Sequence, residues 1–399
     1  MAPLGKIFGD LIVLLPLVLP YVNGYWMFGS NPLVTTRLDP IINPGVVSSH
    51  VHSIIGGSRF SPTYNFEDLT QSLCSTGAVQ QDLSNYWAPQ LYYYDQNQGT
   101  YTPISAFFDI YYFSRPGPKN EYINAFPTGL RMVAGSPLRR VNNASNFADQ
   151  AVSYECLDYS GNIWPEQADF YQNQCPDGLT AQIFFPSCWD GVNLDSEDHQ
   201  SHMAYPIQSY DSGDCPETHP VHLASILYQV IFAVDFQDGW INKTVLQDAL
   251  DNCAGDNTVP LSDCPPLSAS VNEAVAGACK PELVIVDEPI GSASSPLTAL
   301  PGCNPLWIGT GPKPTCDPEP ATPGFVDAES TLPSGWTDLG CTAEGTTGRA
   351  LSSASTTSPI MTRPFCANFC ANLGYPYAGV ESADECYCVS VVILRFIKW

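Results

Sequence analysis

Ten of the fifteen cysteines of this 399-residue chain lie between Cys74 and Cys316, and no two of those ten are spaced as C-x-x-C. Structural zinc sites draw their thiolates from closely spaced pairs, so this spacing speaks against metal. The even count instead predicts five disulfides closing one large domain, and disulfides persist in an oxidising compartment. The length suits one large domain plus a smaller module, with enough chain to bury a sizeable core.

The N-terminus supplies a route to such a compartment. Lys6 precedes the apolar run LIVLLPLVL, residues 11–19, and the small-residue stretch Val22-Asn23-Gly24 follows. This reads as a secretory signal peptide over residues 1–24, cleaved after Gly24 to leave Tyr25 as the mature terminus. The run falls well short of the ~20 residues a bilayer crossing needs, so no transmembrane span is expected. Asn143-Ala144-Ser145 and Asn242-Lys243-Thr244 are candidate N-glycosylation sites on a secreted chain. Forty Asp and Glu against fifteen Lys and Arg set a net charge of −25, which opposes nucleic acid and anionic lipid as partners. With 12% aromatic and only 14% charged residues, the composition suits a secreted protein handling a neutral or cationic ligand.

From Tyr25 to about Leu250 the chain reads as short apolar and aromatic runs punctuated by Pro, Gly, Asn and Asp, a β-rich and loop-rich pattern. YWAPQLYYY (86–94), ISAFFDIYYF (104–113), GLRMVAG (129–135) and AQIFFPSCW (181–189) are the clearest runs. VHLASILYQVI (221–231) fits a helix or a strand, whereas KTVLQDALDNC (243–253) is the better helix. After Cys253 the chain becomes rich in Pro, Gly and Cys and is expected to be an extended, disulfide-stapled tail. Residues 313–334 are a Pro-rich linker that would hold two modules apart. A second cysteine-dense unit follows over residues 335–399. The expected fold is mainly β: a loop-rich, disulfide-stapled β-sandwich or jelly-roll-like domain with few helices, plus a small cysteine-rich module.

Residues 25–312 resemble a large fungal secreted family catalogued as domain of unknown function number nineteen-ninety-six. The resemblance is carried by TRLDPIINPGVVSSHVHSIIGGSRF (36–60), DLSNYWAPQLYY (82–93), FPTGLRMVAG (126–135), FPSCWDGVNLDSEDHQSHMAYP (185–206) and LPGCNP (300–305). It also implies a segment ending in H-x-D-F-x-x-G-W. Here ILYQVIF runs directly into AVDFQDGW, so Asp235, Phe236, Gly239 and Trp240 match while the histidine is lacking. Residues 335–388 resemble the start of a WSC domain, a cysteine-rich module of cell-wall integrity sensors regarded as carbohydrate-binding. The resemblance implies glycan or cell-wall attachment. Such a domain usually carries eight cysteines, and this one has five: Cys341, Cys366, Cys370, Cys386 and Cys388. An odd number leaves at least one thiol without an internal partner, and a truncated WSC module is expected.

All six histidines fall into three close pairs: His50 with His52, His199 with His202, and His219 with His222. Positions i and i+2 of a strand share a face, and i and i+3 of a turn or helix are neighbours, so each pair would converge on one ligand. Asp195 and Asp198 lie beside the second pair. Three readings compete: a divalent metal held by paired imidazoles, a metal-free acid and base centre of His with Asp, and structural histidines tying loops. A histidine brace of the copper monooxygenase type is disfavoured, because the expected mature terminus is Tyr25. Asp190 and Asp195, close to the histidines, are a candidate carboxylate pair for glycoside hydrolysis, or else solvated loop carboxylates and caps. Arg37, Arg59 and Arg131 would neutralise a uronic-acid substrate in a lyase, or else form structural ion pairs. Tyr86, Trp87, Tyr92, Tyr93 and Tyr94, with Trp189, would supply sugar-stacking faces, or core filler.

The expected protein is extracellular and secreted, associated with cell-wall glycan. The leading expectation is glycan activity, as a lyase or hydrolase, through His50, His52, Asp195, Asp198, His199 and His202, with binding support from His219, His222, Arg59, Arg131, Trp87, Trp189 and Asp190. The alternative is a non-catalytic carbohydrate-binding or wall-structural protein.

Overall fold

The computed structural model describes residues 25–63, 65–171, 175–230, 234–237, 239–253, 259–328, 336–337, 339, 351–357, 363–381 and 385–390. The expected signal peptide, Cys341 and the C-terminal residues 391–399 lie outside the described residues.

The first described strand, Tyr25–Ser30, alternates strictly, burying Trp26, Phe28 and Ser30 and leaving the residues between them half-exposed. That period of two is the signature of a strand with one face on a core. Its partner Phe108–Phe113 buries Phe108, Ile110 and Tyr112, and the ladder sets Trp26 opposite Tyr112 with the rings stacked at 5.2 Å. These strands begin a five-stranded antiparallel sheet that continues through Ser225–Val230, Gly178–Phe184 and Val152–Leu157. A second antiparallel sheet runs Val34–Thr36, His52–Gly56, Asn85–Pro89, Val234–Gln237, Arg131–Ala134. The two share one hydrophobic core, in which Trp26, Phe28, Ile110 and Tyr112 of the first meet Ile55, Tyr86, Met132 and Ala134 of the second. The chain is therefore mainly β and built around a two-sheet sandwich.

The second sheet is buried on both faces. Ile55 and Tyr86 point into the shared core, while Ile54 and Trp87 join Leu38, Phe60 and Leu69 in a second one. This explains why HSIIG and NYWAP do not alternate: a strand covered on both sides has no polar face. At the centre of the shared core Tyr86 donates to Asp82, its hydroxyl lies 2.5 Å from that of Tyr112, and Trp240 Nε1 donates to Tyr112. Burial pushes the Tyr86 hydroxyl well above its ordinary pKa, so it stays protonated and able to donate.

The ambiguous stretch 221–231 forms the strands Val221–His222 and Ser225–Val230, and the better helix is indeed Lys243–Asn252. That helix is capped by Asn242, whose side chain accepts from Thr244 N, and it buries Leu246, Ala249 and Leu250. The five expected disulfides are Cys74–Cys279, Cys156–Cys175, Cys188–Cys215, Cys253–Cys264 and Cys303–Cys316. The tail after Cys253 is less extended than expected, since it contains the short helices Pro265–Ser268 and Glu273–Ala278. Part of the Pro-rich linker, Phe325–Asp327, is a strand paired with Val284–Val286. In the cysteine-rich unit the helix Arg363–Asn372 is joined by Cys366–Cys386 and Cys370–Cys388 to a strand of a three-stranded sheet. These four half-cystines are its buried core.

Candidate functional site

His50 and His52 do converge, but with different environments. His52 opens the strand His52–Gly56, is 2% exposed, and has Nδ1 2.9 Å from the Leu38 carbonyl, where the ring N–H donates. Its Nε2 faces Asp39 Oδ2 at 4.0 Å. His50 precedes the strand, half-buried, with its ring 4.4 Å from that of His52 and Nδ1 3.0 Å from Ser49 Oγ. Burial, reinforced by the His52 neighbour, pulls the His50 imidazole down to about 3. Burial alone takes His52 down to about 4, opposed by its bond to Leu38. Both rings are therefore neutral near pH 7, and poorly matched to general-base catalysis, which favours a pKa near the working pH.

His50 lines a cleft of about 620 Å³. Its floor lies at one end of the second sheet, where His52 stands opposite Pro89 and Val234 opposite Ala134; Pro89 and Gly135 both line the cleft. One wall is the loop Ser136–Asn142 and the other is the tail Leu300–Lys313. The tail is fastened close to His50: Asn304 Nδ2 donates to Ser49 O at 2.7 Å, and Cys303–Cys316 staples the segment. Gly302 allows this approach, for at its φ of +70° a Cβ would meet Arg37 Nη1 at 2.4 Å and Ser49 O at 2.8 Å. Across the cleft Arg139 binds Asp149 at 3.0 Å, and the Arg140 guanidinium lies 3.7 Å over the Trp307 ring.

The remaining histidines lie elsewhere. His202 is 1% exposed, with Nε2 2.6 Å from the Arg131 carbonyl and Nδ1 2.9 Å from Ser196 Oγ. Arg131 aligns through Gln237 and Asn85 with Gly56, four residues along from His52 and three strands away. Strand spacings of about 4.8 Å and rises of about 3.3 Å place the two backbones roughly 20 Å apart. His50 and His52 therefore do not share a centre with His202. His199, at φ +56°, holds Asp195 Oδ1 at 2.8 Å through Nδ1. His219 reaches the Ser201 carbonyl with Nε2 at 3.1 Å, and buried His222 meets Glu121 Oε2 at 3.2 Å. Burial lowers the His222 pKa, with Glu121 opposing. These bonds clasp the loop 190–204 and the segment 213–222 around Cys188–Cys215.

Two carboxylates of that loop, Asp190 and Asp198, are occupied by backbone amides. Asp198 accepts from Gln200 N, Ser201 N and Ser196 Oγ, and chiefly the Ser201 amide holds it well below the usual range. Asp190 accepts from Val192 N, Asn193 N and Asn193 Nδ2; against a partial desolvation those bonds hold it low. A carboxyl held ionised is a poor general acid, so of the Asp190 and Asp195 pair Asp190 is not suited to the acid role. Trp189 donates Nε1 to Asn193 O at 2.6 Å. Trp87 is 0% exposed and packs edge-on to Phe60, so it is core and closed to a ligand. Arg59 is 3% exposed, its pKa lowered by burial against Glu282 and Asp68, and Arg37 pairs with Glu288. Arg131 donates its backbone N to Leu194 O, which ties its strand to the same loop.

Among the described residues, two groups of three His, Cys, Asp or Glu ligand atoms lie within 4.8 Å of one another: Cys188, Cys215 and His222, and Cys366, Cys370 and Cys386. The cysteines of both are in disulfides, which are not thiolate ligands. The paired histidines therefore do not fit a three-donor divalent site as they stand.

Of the residues lining the cleft, His50 and Tyr92 were candidates from the sequence, while the walls at 136–142 and 300–313 were not. The available signal was Arg139-Arg140, two adjacent cations in a chain with only fifteen. Trp307 and Lys313 carried none, because they reach the cleft only through the fastened tail. A family model described as domain of unknown function (DUF1996) matches residues 39–260, and a WSC domain model matches residues 339–393. No curated protein and no solved structure matches the chain.

Proposed function

The chain belongs to the DUF1996 family, and from that premise we propose that it is a secreted, wall-associated protein that binds polysaccharide in the cleft beside His50. The WSC domain behind it suggests a cell-wall-associated carbohydrate-binding protein, and no helix among the described residues is long and apolar enough to cross a membrane. The disulfides fit an extracellular route. The observation that carries the proposal is the cleft itself. It is open, of a volume that suits an oligosaccharide segment, and walled by aromatic and polar side chains. It takes in His50, from the family-like word at 36–60, and the tail that follows LPGCNP.

Substitution separates this cleft from the histidine loop. His50→Ala is expected to weaken retention on insoluble cell-wall polysaccharide about tenfold at unchanged melting temperature. His202→Ala is expected to keep that affinity and cost about 2 kcal/mol of stability, the order expected when a buried hydrogen-bonded group is removed. A folded His50→Ala protein with full affinity would count against the proposal.

One observation favours a second, catalytic reading: His199 and Asp195 form a 2.8 Å pair whose side chains are 25% and 33% exposed. Such a pair suits acid and base chemistry on a bound glycan. A screen for reducing ends and unsaturated products over fungal and plant polysaccharides, with a chelator control, tests it. Product formation abolished by His199→Ala supports this reading, and no product from any polymer removes it.

A further inference from the structure

The chain carries fifteen Lys and Arg, and three of them, Arg139, Arg140 and Lys313, line this one cleft together with the carboxylates of Asp149 and Asp169. Arg139 is committed to Asp149 at 3.0 Å and to the Ala148 carbonyl at 3.0 Å. Arg140 and Lys313 have no acidic partner among the described residues. Each is nevertheless held in place. Stacking on Trp307 at 3.7 Å fixes the plane of the Arg140 guanidinium while leaving its in-plane N–H groups free to donate. Asn304 Oδ1 accepts from Lys313 Nζ at 3.2 Å, and Asn304 is itself anchored on Ser49 O. Cations without carboxylate partners, oriented by neutral groups, are arranged to receive an anion from outside. In a protein of net charge −25 this is a local reversal of sign.

The walls specify the rest of the ligand. Phe170, stacked on Tyr154 at 4.7 Å, is 40% exposed, and Leu138 and Leu306, which line the same cleft, are 65% and 50% exposed. Such surfaces match the C–H faces of a pyranose ring, and Asp169 can accept from its hydroxyls. We propose that the cleft binds a uronic-acid unit of an acidic polysaccharide, with Arg140 and Lys313 on the sugar carboxylate and Phe170 against its ring. This rests on the reading that the large domain binds polysaccharide, and narrows it to a substrate class. Composition pointed instead to a neutral or cationic ligand. The local arrangement overrides that, because charges more than about 8 Å away are largely screened at physiological salt whereas contact pairs are not. The planar fork of arginine matches a carboxylate in two parallel hydrogen bonds, a geometry that phosphate and sulfate esters share, so a sulfated probe belongs in the test.

Calorimetric titration of the full-length secreted protein tests this with four probes: an oligogalacturonide, its methyl ester, a neutral gluco-oligosaccharide of the same length and a sulfated oligosaccharide. The acid is expected to bind about tenfold more tightly than its ester, since a charge-assisted contact is lost on esterification. Arg140→Ala and Lys313→Ala should each weaken binding of the acid about tenfold and leave the ester unchanged. Arg140→Lys should recover only part of the loss, because it keeps the charge and not the fork. Equal affinity for acid, ester and neutral sugar would overturn the uronate assignment while leaving polysaccharide binding intact. Tighter binding of the sulfated probe would overturn the assignment in favour of a sulfate ester. Binding of none of the four would overturn both.

Discussion

At the scale of single residues, the histidines show what spacing reveals and what it conceals. Three close pairs were visible in the sequence, and His50 with His52 is a true ring contact at 4.4 Å. The sequence did not show that His202 turns to the Arg131 carbonyl, because a bond across 71 residues leaves no local trace. The His52 environment carries a pH dependence. Its pKa is near 6.5 unfolded and about 4 folded, so between those values the unfolded chain binds more protons. Stability is therefore complete above about pH 6.5 and falls as pH drops toward 4. The size is on the order of 3 kcal/mol for His52, the free-energy equivalent of its shift. Lowered His50 and His222 act in the same direction. The depressed carboxylates of Asp190 and Asp198 add their losses only below the ordinary carboxylate range. Denaturant unfolding of His52→Asn across pH 4 to 6.5 should show a shallower slope than the wild type. An equal slope would remove His52 from this role.

At the scale of elements, alternation made Tyr25–Ser30 and Phe108–Phe113 legible, since each has one face on the core. Strands buried on both faces were readable only as apolar runs, and Trp87, offered as a sugar platform, proved to fill the second core. The stretch 221–231 was settled by position: Ser225–Val230 lies between Phe108–Phe113 and Gly178–Phe184, where only a strand can complete the ladder. The even cysteine count predicted five bridges, but pairing depends on the fold, as Cys74–Cys279 across 205 residues illustrates. The bridge Cys303–Cys316 has a defined consequence. Closing a loop of 13 residues constrains the open tail by about 3 kcal/mol in the chain-entropy account. Replacing both cysteines with serine should loosen the Trp307 wall and weaken saccharide binding, while the melting temperature of the sandwich stays near that of the wild type. Undiminished binding by this variant would mean that the tail is no part of the site.

At the scale of the whole molecule, the fold class and the order of the two family matches were legible from patterning and from quoted words of sequence. The cleft was not. It is assembled from the segment at His50, the loop 136–142 and the tail 300–313, which are separated by most of the chain and meet only after the sandwich has formed. A window of sequence shows each piece as loop, and only the non-local contacts give it shape. Hydrogen–deuterium exchange of the full-length protein with and without a saturating cell-wall oligosaccharide tests the central claim directly. Binding in the cleft predicts slowed exchange in residues 136–142 and 300–313 and unchanged exchange in the histidine loop 190–204. Protection confined to residues 190–204, or to the WSC domain alone, would contradict it.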